Sequence, residues 1–272
     1  MSTLAELVAR TRARLEVARL TQPLERLLAT ASTPGVRRPF GAALARPGRA
    51  NVIAEFKRRS PSRGVIRTDL HPVNVAQSYE VGGAAALSVL TEEEFFGGSL
   101  SDLQQARAAT LLPTLRKDFI VDAYQIWEAS LAGADAVLLI VAALSDAELR
   151  ALAATAAEAG LEALVEVHDR TELERALAAG AGIVGVNNRD LSTMQVSLAT
   201  SLELGPSIPD AVVAVAESGI RSGADVRALR EAGFDAFLVG EHLMRSPDPG
   251  AALEELLREA GERPRAGGTD AG

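Results

Sequence analysis

The chain has 272 residues, 47% of them hydrophobic and 24% charged, a globular balance that excludes a disordered or collagen-like polymer. Its formal charge of −8 and pI near 5.1 argue against bulk attraction to nucleic acid or an anionic membrane, while leaving room for a local basic pocket. With no cysteine, disulfides, thiolate nucleophiles and Cys-ligated metal centres are all excluded.

Residues 1–48 read as one or two helices that end in a Pro/Arg/Gly-rich connection. Glu6 and Glu16 interrupt what would otherwise be a basic, apolar leader. The longest apolar run, Ala134 to Leu144, is broken by Asp135 and falls short of the roughly 18–20 residues needed to cross a bilayer. A soluble, cytoplasmic protein is the expectation.

Eight short apolar runs follow: NVIAEFK from Asn51, ALSVLT from Ala86, PTLRKDF from Pro113, AVLLIV from Ala136, EALVEVH from Glu162, IVGVNNR from Ile183, VVAVAES from Val212 and AFLVGE from Ala236. Segments of helical periodicity such as DAELRALAATAAEAG separate them. Strand starts recur every 20–35 residues or so, the length of a strand, a crossover helix and two loops. Helix starts carry Ser145 with Glu148, Asp169 with Glu172, and Ser222 with Asp225, each pair spaced as in a capping box. Helix ends carry Gly82, Gly133, Gly160, Gly180 and Gly233. Strands apolar on both faces require a parallel sheet covered by helices. The reading is a single (β/α)8 TIM barrel over residues 1–260, with 1–48 as a helical extension and 261–272 as a disordered tail. An open, doubly wound sheet is the alternative.

In such a barrel the chemistry sits at the C-terminal ends of the strands. A charge within an apolar strand needs a partner or a ligand, because burying it alone is costly. The first strand ends in Glu55 and Lys57, on one face and within reach of a mutual ion pair. Lys117 shares the parity of Leu115 and should point inward if Leu115 does, leaving Arg116 and Asp118 outside. Later strands end in Glu166, in Asn187, Asn188 and Arg189, and in Glu217 and Ser218, whereas AVLLIV brings no charge. Structural ion pairs alone would rarely recur at five strand ends, so this reads as a catalytic mouth. Gly219 and Gly240, followed by Glu241, sit after the last two strands, where small residues let backbone N–H groups approach a phosphate. With Lys57 and Arg189 they would form a positive site suited to a dianion.

Gly180 to Gly185 spells G-x-G-x-x-G but lies between a helix and a strand, the reverse of a dinucleotide fingerprint. His71, His168 and His242 lack metal-ligand spacing, so no metal is expected. His168 reads as a helix-entry or surface residue rather than part of the mouth, and Trp127 as packing.

The segments IAEFKRRSPSRG, LSVLTEEEFFGGS, LRKDFIVDAYQI, GADAVLLI, LVEVHDRTEL, GVNNRDL, AESGI and LVGEHLM, in that order, resemble the indole-3-glycerol phosphate synthase family of tryptophan biosynthesis. The resemblance runs from about Pro39 to Leu257. It implies a small phosphorylated substrate, 1-(2-carboxyphenylamino)-1-deoxyribulose 5-phosphate, closed to indole-3-glycerol phosphate with loss of CO2 and water and no cofactor. It further implies Lys117 as general acid on the ketose oxygen and Glu166 as acid/base in the dehydration. Lys57 would hold an anionic end of the substrate or protonate the leaving hydroxyl, and the sequence does not divide these duties between the lysines. Glu55 and Asn187 would orient these groups, with Glu217 and Ser218 completing the rim and Gly219, Gly240 and Glu241 forming the phosphate cup. Ser60 would close over the substrate, and Phe96, Leu115, Phe119, Leu138 and Ile140 would cradle the aryl ring. Arg63 stands where the family often has lysine, which keeps the charge. Loop 60–68, rich in serine, glycine and arginine, is expected to move.

Two other readings compete. A sister barrel of the pathway, such as phosphoribosylanthranilate isomerase or the tryptophan synthase α subunit, needs other acid–base groups, and the isomerase typically uses a cysteine this chain lacks. A non-catalytic barrel binding a phosphorylated metabolite would keep Gly219 and Gly240 but would have no need of Lys117 and Glu166 together. The sequence leaves the oligomeric state open, a monomer being compatible with it.

Overall fold

The computed structural model describes residues 4–29, 36–61, 64–191 and 193–261. The expectations for Arg63 and for the tail from residue 262 onward lie outside them.

Among the described residues three helices precede the barrel, α1 (Leu4–Thr21), α2 (Leu24–Ala29) and α3 (Phe40–Leu44), where the sequence suggested one or two. Then follow β1 (Asn51–Phe56), a hairpin of β2 (Arg59–Ser60) and β3 (Gly64–Val65), α4 (Pro72–Val81), β4 (Ala86–Leu90), α5 (Leu100–Ala109), β5 (Thr114–Lys117), α6 (Ala123–Leu131), β6 (Ala136–Ile140) and α7 (Asp146–Glu158). The chain continues through β7 (Glu162–Val167), α8 (Arg170–Ala178), β8 (Ile183–Asn187), α9 (Ala199–Leu204), β9 (Val213–Glu217), α10 (Gly223–Glu231), β10 (Ala236–Val239), α11 (Glu241–Met244) and α12 (Pro249–Glu259). β1 and β4 to β10 pair in parallel and close in the order β1-β10-β9-β8-β7-β6-β5-β4. The closed barrel decides against the open sheet.

Two layers of packing account for strands that are apolar on both faces. Leu87, Val137, Val165 and Phe237 point outward under the helices, while Ile53, Leu115, Leu138, Leu164, Val215 and Leu238 fill the barrel interior. Phe40 and Leu44 of α3 join that inner layer and close the N-terminal end. Glu162 caps this plug by accepting the N–H groups of Phe40 at 2.6 Å and Gly41 at 3.0 Å, as a carboxylate at a helix start should.

The capping boxes at Ser145/Glu148 and Ser222/Asp225 form as expected. The third pair is only half a box. Asp169 accepts from Glu172 N, but the Glu172 carboxylate turns back to His168. One expected helix stop is displaced by a residue: Gly82 has φ −65° and Gly83 takes the left-handed position.

Candidate active site

The strands that aim a charge into the barrel carry it two residues past an inward apolar one. Ile53, Leu115, Leu164 and Val215 belong to the inner core, so Glu55, Lys117, Glu166 and Glu217 stand one layer above them on the same face. Register sets their heights: Ile140 is level with Glu166 and Asn187 with Glu217. These groups line a cavity of about 760 Å³ at the C-terminal ends of the strands.

Lys117 is the hub. Its Nζ lies 2.7 Å from Glu166 Oε2 and 2.9 Å from Glu217 Oε2. Asn187 Nδ2 donates to Glu166 Oε1 at 3.0 Å. Lys57 Nζ donates to Glu55 Oε2 at 2.6 Å, so the ion pair allowed by their spacing forms, with Lys57 at the cavity wall. Arg116 takes the outer side of β5 as expected, paired at 3.1 Å with Asp118 and tied to Thr91, but Asp118, the residue after the strand, is not outside: it lines the cavity and faces Arg14 of α1. The pair locks the strand that presents Lys117.

One ammonium shared by two buried carboxylates splits the titrations. Burial alone would lower the Lys117 pKa, but Glu166, Glu217 and Glu55 outweigh it and hold the ammonium above its ordinary range. Burial opposes ionisation of Glu166 too, yet Lys117 and then His168 draw its pKa down. Glu217 goes the other way, pushed up to about 7 by burial and by the neighbouring Glu166 and Glu55, with Lys117 offsetting only part. Its Oε1 has no hydrogen-bond partner among the described residues. At neutral pH the site therefore holds a proton donor, Lys117, against an ionised base, Glu166, with Glu217 the more readily protonated of the two carboxyls.

The apolar wall is Phe96, Phe119, Leu138 and Ile140. The two rings stand 6.1 Å apart at 51°, and Glu92 seats Phe96 by accepting the N–H groups of Phe95 and Phe96 at 2.7 and 3.1 Å. Leu115 does not belong to this wall. It is fully buried in the barrel core and absent from the cavity lining, because it sits one layer below Lys117. Parity shows which face a side chain takes but not its depth.

Ser60, Arg189, Ser218, Gly219, Gly240 and Glu241 all line the cavity. Ser218 and Gly219 are both left-handed, at φ 66° and 83°, and Asn188 pins the turn by donating to the Glu217 and Ser218 carbonyls. A left-handed serine is strained backbone of the kind found at ligand sites. Gly240 has a second reason to be bare: a Cβ there would overlap the Glu55 carboxylate.

Several lining residues were not anticipated. Leu4 and Leu7 come from α1, which lies across the mouth through Arg10–Glu94, Arg12–Glu148 and Arg19–Asp122 ion pairs at 2.5, 3.1 and 2.5 Å. The helix itself was expected, but the face it buries shows in the sequence only as the i, i+4, i+8 stripe of Leu7, Thr11 and Leu15. Arg221 and Arg245 also line the cavity, Arg245 paired with Glu241 at 3.2 Å, and Thr193 to Val196 close the β8 side. His168 does enter α8 as expected, but it is no surface residue; it is largely buried and touches Glu166 from outside the cavity.

A family model described as indole-3-glycerol phosphate synthase matches residues 4–256. The chain is 55% identical over 210 residues to a protein of that name from a Polaromonas species, covering 77% of this chain and 80% of that one. It is 54% identical over 231 residues to one from Acidithiobacillus ferrooxidans (84% and 88%) and 51% over 240 residues to one from Chromobacterium violaceum (87% and 91%). Among solved structures it resembles a thiamine phosphate pyrophosphorylase from Pyrococcus furiosus, with a TM-score of 0.60, 18% identity and coverage of 78% and 95%. A mandelate oxidase variant gives 0.59, 20%, and 77% and 72%. At such identities these two share the fold alone.

Proposed function

The chain belongs to the indole-3-glycerol phosphate synthase family, and from that premise we propose how its own side chains divide the work. The reaction closes the indole ring on the carboxyphenylamino deoxyribulose phosphate and releases CO2 and water. The observation that carries the assignment is Lys117, one cation held between Glu166 and Glu217 inside the cavity.

In this reading the aryl ring lies against Phe96, Phe119, Leu138 and Ile140, with the phosphate at the backbone N–H groups beyond Gly219 and Gly240. Arg221 and Arg245 supply charge beside it. Lys117 protonates the ketose oxygen as the ring carbon bearing the carboxylate attacks the carbonyl carbon. The attacking ring carbon then expels CO2, and the electron pair of the broken bond restores the aromatic ring. Glu166 next removes the proton from the carbon beside the nitrogen, while the hydroxyl leaves as water with a proton from Lys57. Glu55 holds Lys57 and Asn187 aims Glu166. All of this is positioned proton transfer, worth roughly 10²–10⁴-fold per group. The reading takes residues 1–260 as one functional unit and places it in the cytoplasm; no helix among the described residues is long and apolar enough to cross a membrane.

Glu166→Gln separates the steps. In a single turnover, CO2 release should persist while indole formation falls by about 10²-fold or more. Equal loss of both would move Glu166 to the condensation, and no loss of either would remove it from the mechanism.

A further inference from the structure

The geometry points to His168, braced by Glu172, as a positioning residue that keeps Glu166 ionised and aimed while Lys117 is engaged with the substrate. The inference rests on Glu166 being the base of the dehydration.

Glu166 is met from two sides. Lys117 and Asn187 approach it from within the barrel. His168 comes from the loop entering α8, its Nε2 3.3 Å from Glu166 Oε1, an ion-pair contact rather than an aligned hydrogen bond. The other ring nitrogen, Nδ1, is 2.9 Å from Glu172 Oε2. Glu172 is itself fixed, since the same oxygen accepts the His168 N–H at 2.8 Å, and this is why the expected capping box at Asp169 is only half formed. Neither His168 nor Glu172 lines the cavity. An imidazole enclosed by two carboxylates has reason to carry a proton: burial would lower its pKa, but Glu166 and Glu172 raise it to about 10. These are the two charged groups that face the ring; Lys117 of β5 reaches it only through Glu166, and Glu217 of β9 only through Lys117.

The consequence appears during turnover. When Lys117 gives its proton to the ketose oxygen, Glu166 loses the cation that held it, at the step before it must act as a base. A buried carboxylate left without a cation takes up a proton. His168 lies outside the cavity, is not displaced by substrate, and supplies the positive charge that remains.

Two measurements test this. The first is the protonation state of the His168 imidazole in the resting wild-type protein, read from its ring nitrogen-15 shifts between pH 6 and 9, with assignment by His168→Asn. The ring should stay doubly protonated through pH 8. In Glu172→Gln its midpoint should fall by about one unit or more. A neutral ring at pH 7 in the wild type overturns the proposal, whatever becomes of the variants. The second is the pH profile of His168→Asn, which removes the charge with little change in volume. The acid limb of its kcat profile should move up by about one unit while KM changes less than about threefold. A uniform loss of activity with the limb in place would mean that His168 only supports the fold, and would refute the inference. Because the nitrogen shifts are read without substrate, their outcome is independent of whether Glu166 proves to be the base.

Discussion

Replacing Gly185 by alanine perturbs the Lys117–Glu166–Glu217 cluster from a strand position that carries no functional group. Gly185 points into the barrel between Ile183 and Asn187. A Cβ built on it overlaps Glu217 Oε1 and comes within 3.2 Å of both the Glu217 carboxyl carbon and Leu164 Cδ1. To restore van der Waals contact the carboxylate must retreat by about 1 Å. It has little freedom to do so, being 1% exposed and held by Lys117 at 2.9 Å. Lys117 follows Glu217 or loses it, and either displaces the proton donor from the substrate carbonyl. A misplacement of that size costs about 10²-fold in rate, or about 2.7 kcal/mol of transition-state stabilisation. Overpacking adds about 1–3 kcal/mol of destabilisation, a fall in Tm of a few degrees. Steady-state assay of Gly185→Ala by indole fluorescence, beside thermal melting, reads both. Gly182→Ala is the control, since its Cβ meets nothing within 4 Å, and it should stay within about 0.5 kcal/mol and near wild-type rate. A Gly185→Ala enzyme with kcat/KM within threefold or so of wild type would refute the coupling of Glu217 to Lys117.

Three further outcomes are expected. Glu217 has its pKa raised on folding, so its contribution to stability is full below the unfolded value near 4.5 and is lost as pH rises through about 7; Glu217→Gln should therefore gain stability relative to wild type between pH 4.5 and 7, by at most about 3 kcal/mol, and a flat difference across that range contradicts the raised pKa. Glu162→Gln weakens the cap on the N-terminal plug, far from the mouth, and should lower stability by about 1–2 kcal/mol while kcat/KM is unchanged; denaturant melts and the indole assay together check this. Phe119→Ala removes one ring of the aryl wall and should raise KM by roughly tenfold with a smaller change in kcat, whereas a loss confined to kcat would place the aryl group elsewhere.

The barrel was legible because its signals are local: period, caps and glycine stops lie within a few residues of what they specify, and the structure has all eight strands where the apolar runs fall. The charged residues of the cavity were legible for a related reason. A charge in an otherwise buried strand has few physical explanations, and parity places Glu55, Lys117, Glu166 and Glu217 on the inner face. What escaped depends on contacts distant in sequence. The arginines of α1 look like any solvated helix face until Glu94, Glu148 and Asp122 stand opposite them. Leu115 was placed on the correct face at the wrong depth. His168 has a sign in the sequence: it stands just before the Asp169/Glu172 capping pair, so the glutamate has a competing partner four residues back.

The central claim is that Lys117 is the proton donor for ring closure and not merely an anchor for anions. The direct measurement is the rate of indole-3-glycerol phosphate formation by Lys117→Ala, followed by product fluorescence in the presence of EDTA, beside substrate affinity measured on the same protein. The account predicts turnover lower by about 10³-fold or more with substrate still bound, because the phosphate corner and aryl wall are intact. Turnover within about tenfold of wild type would contradict it and transfer the donor role to Lys57.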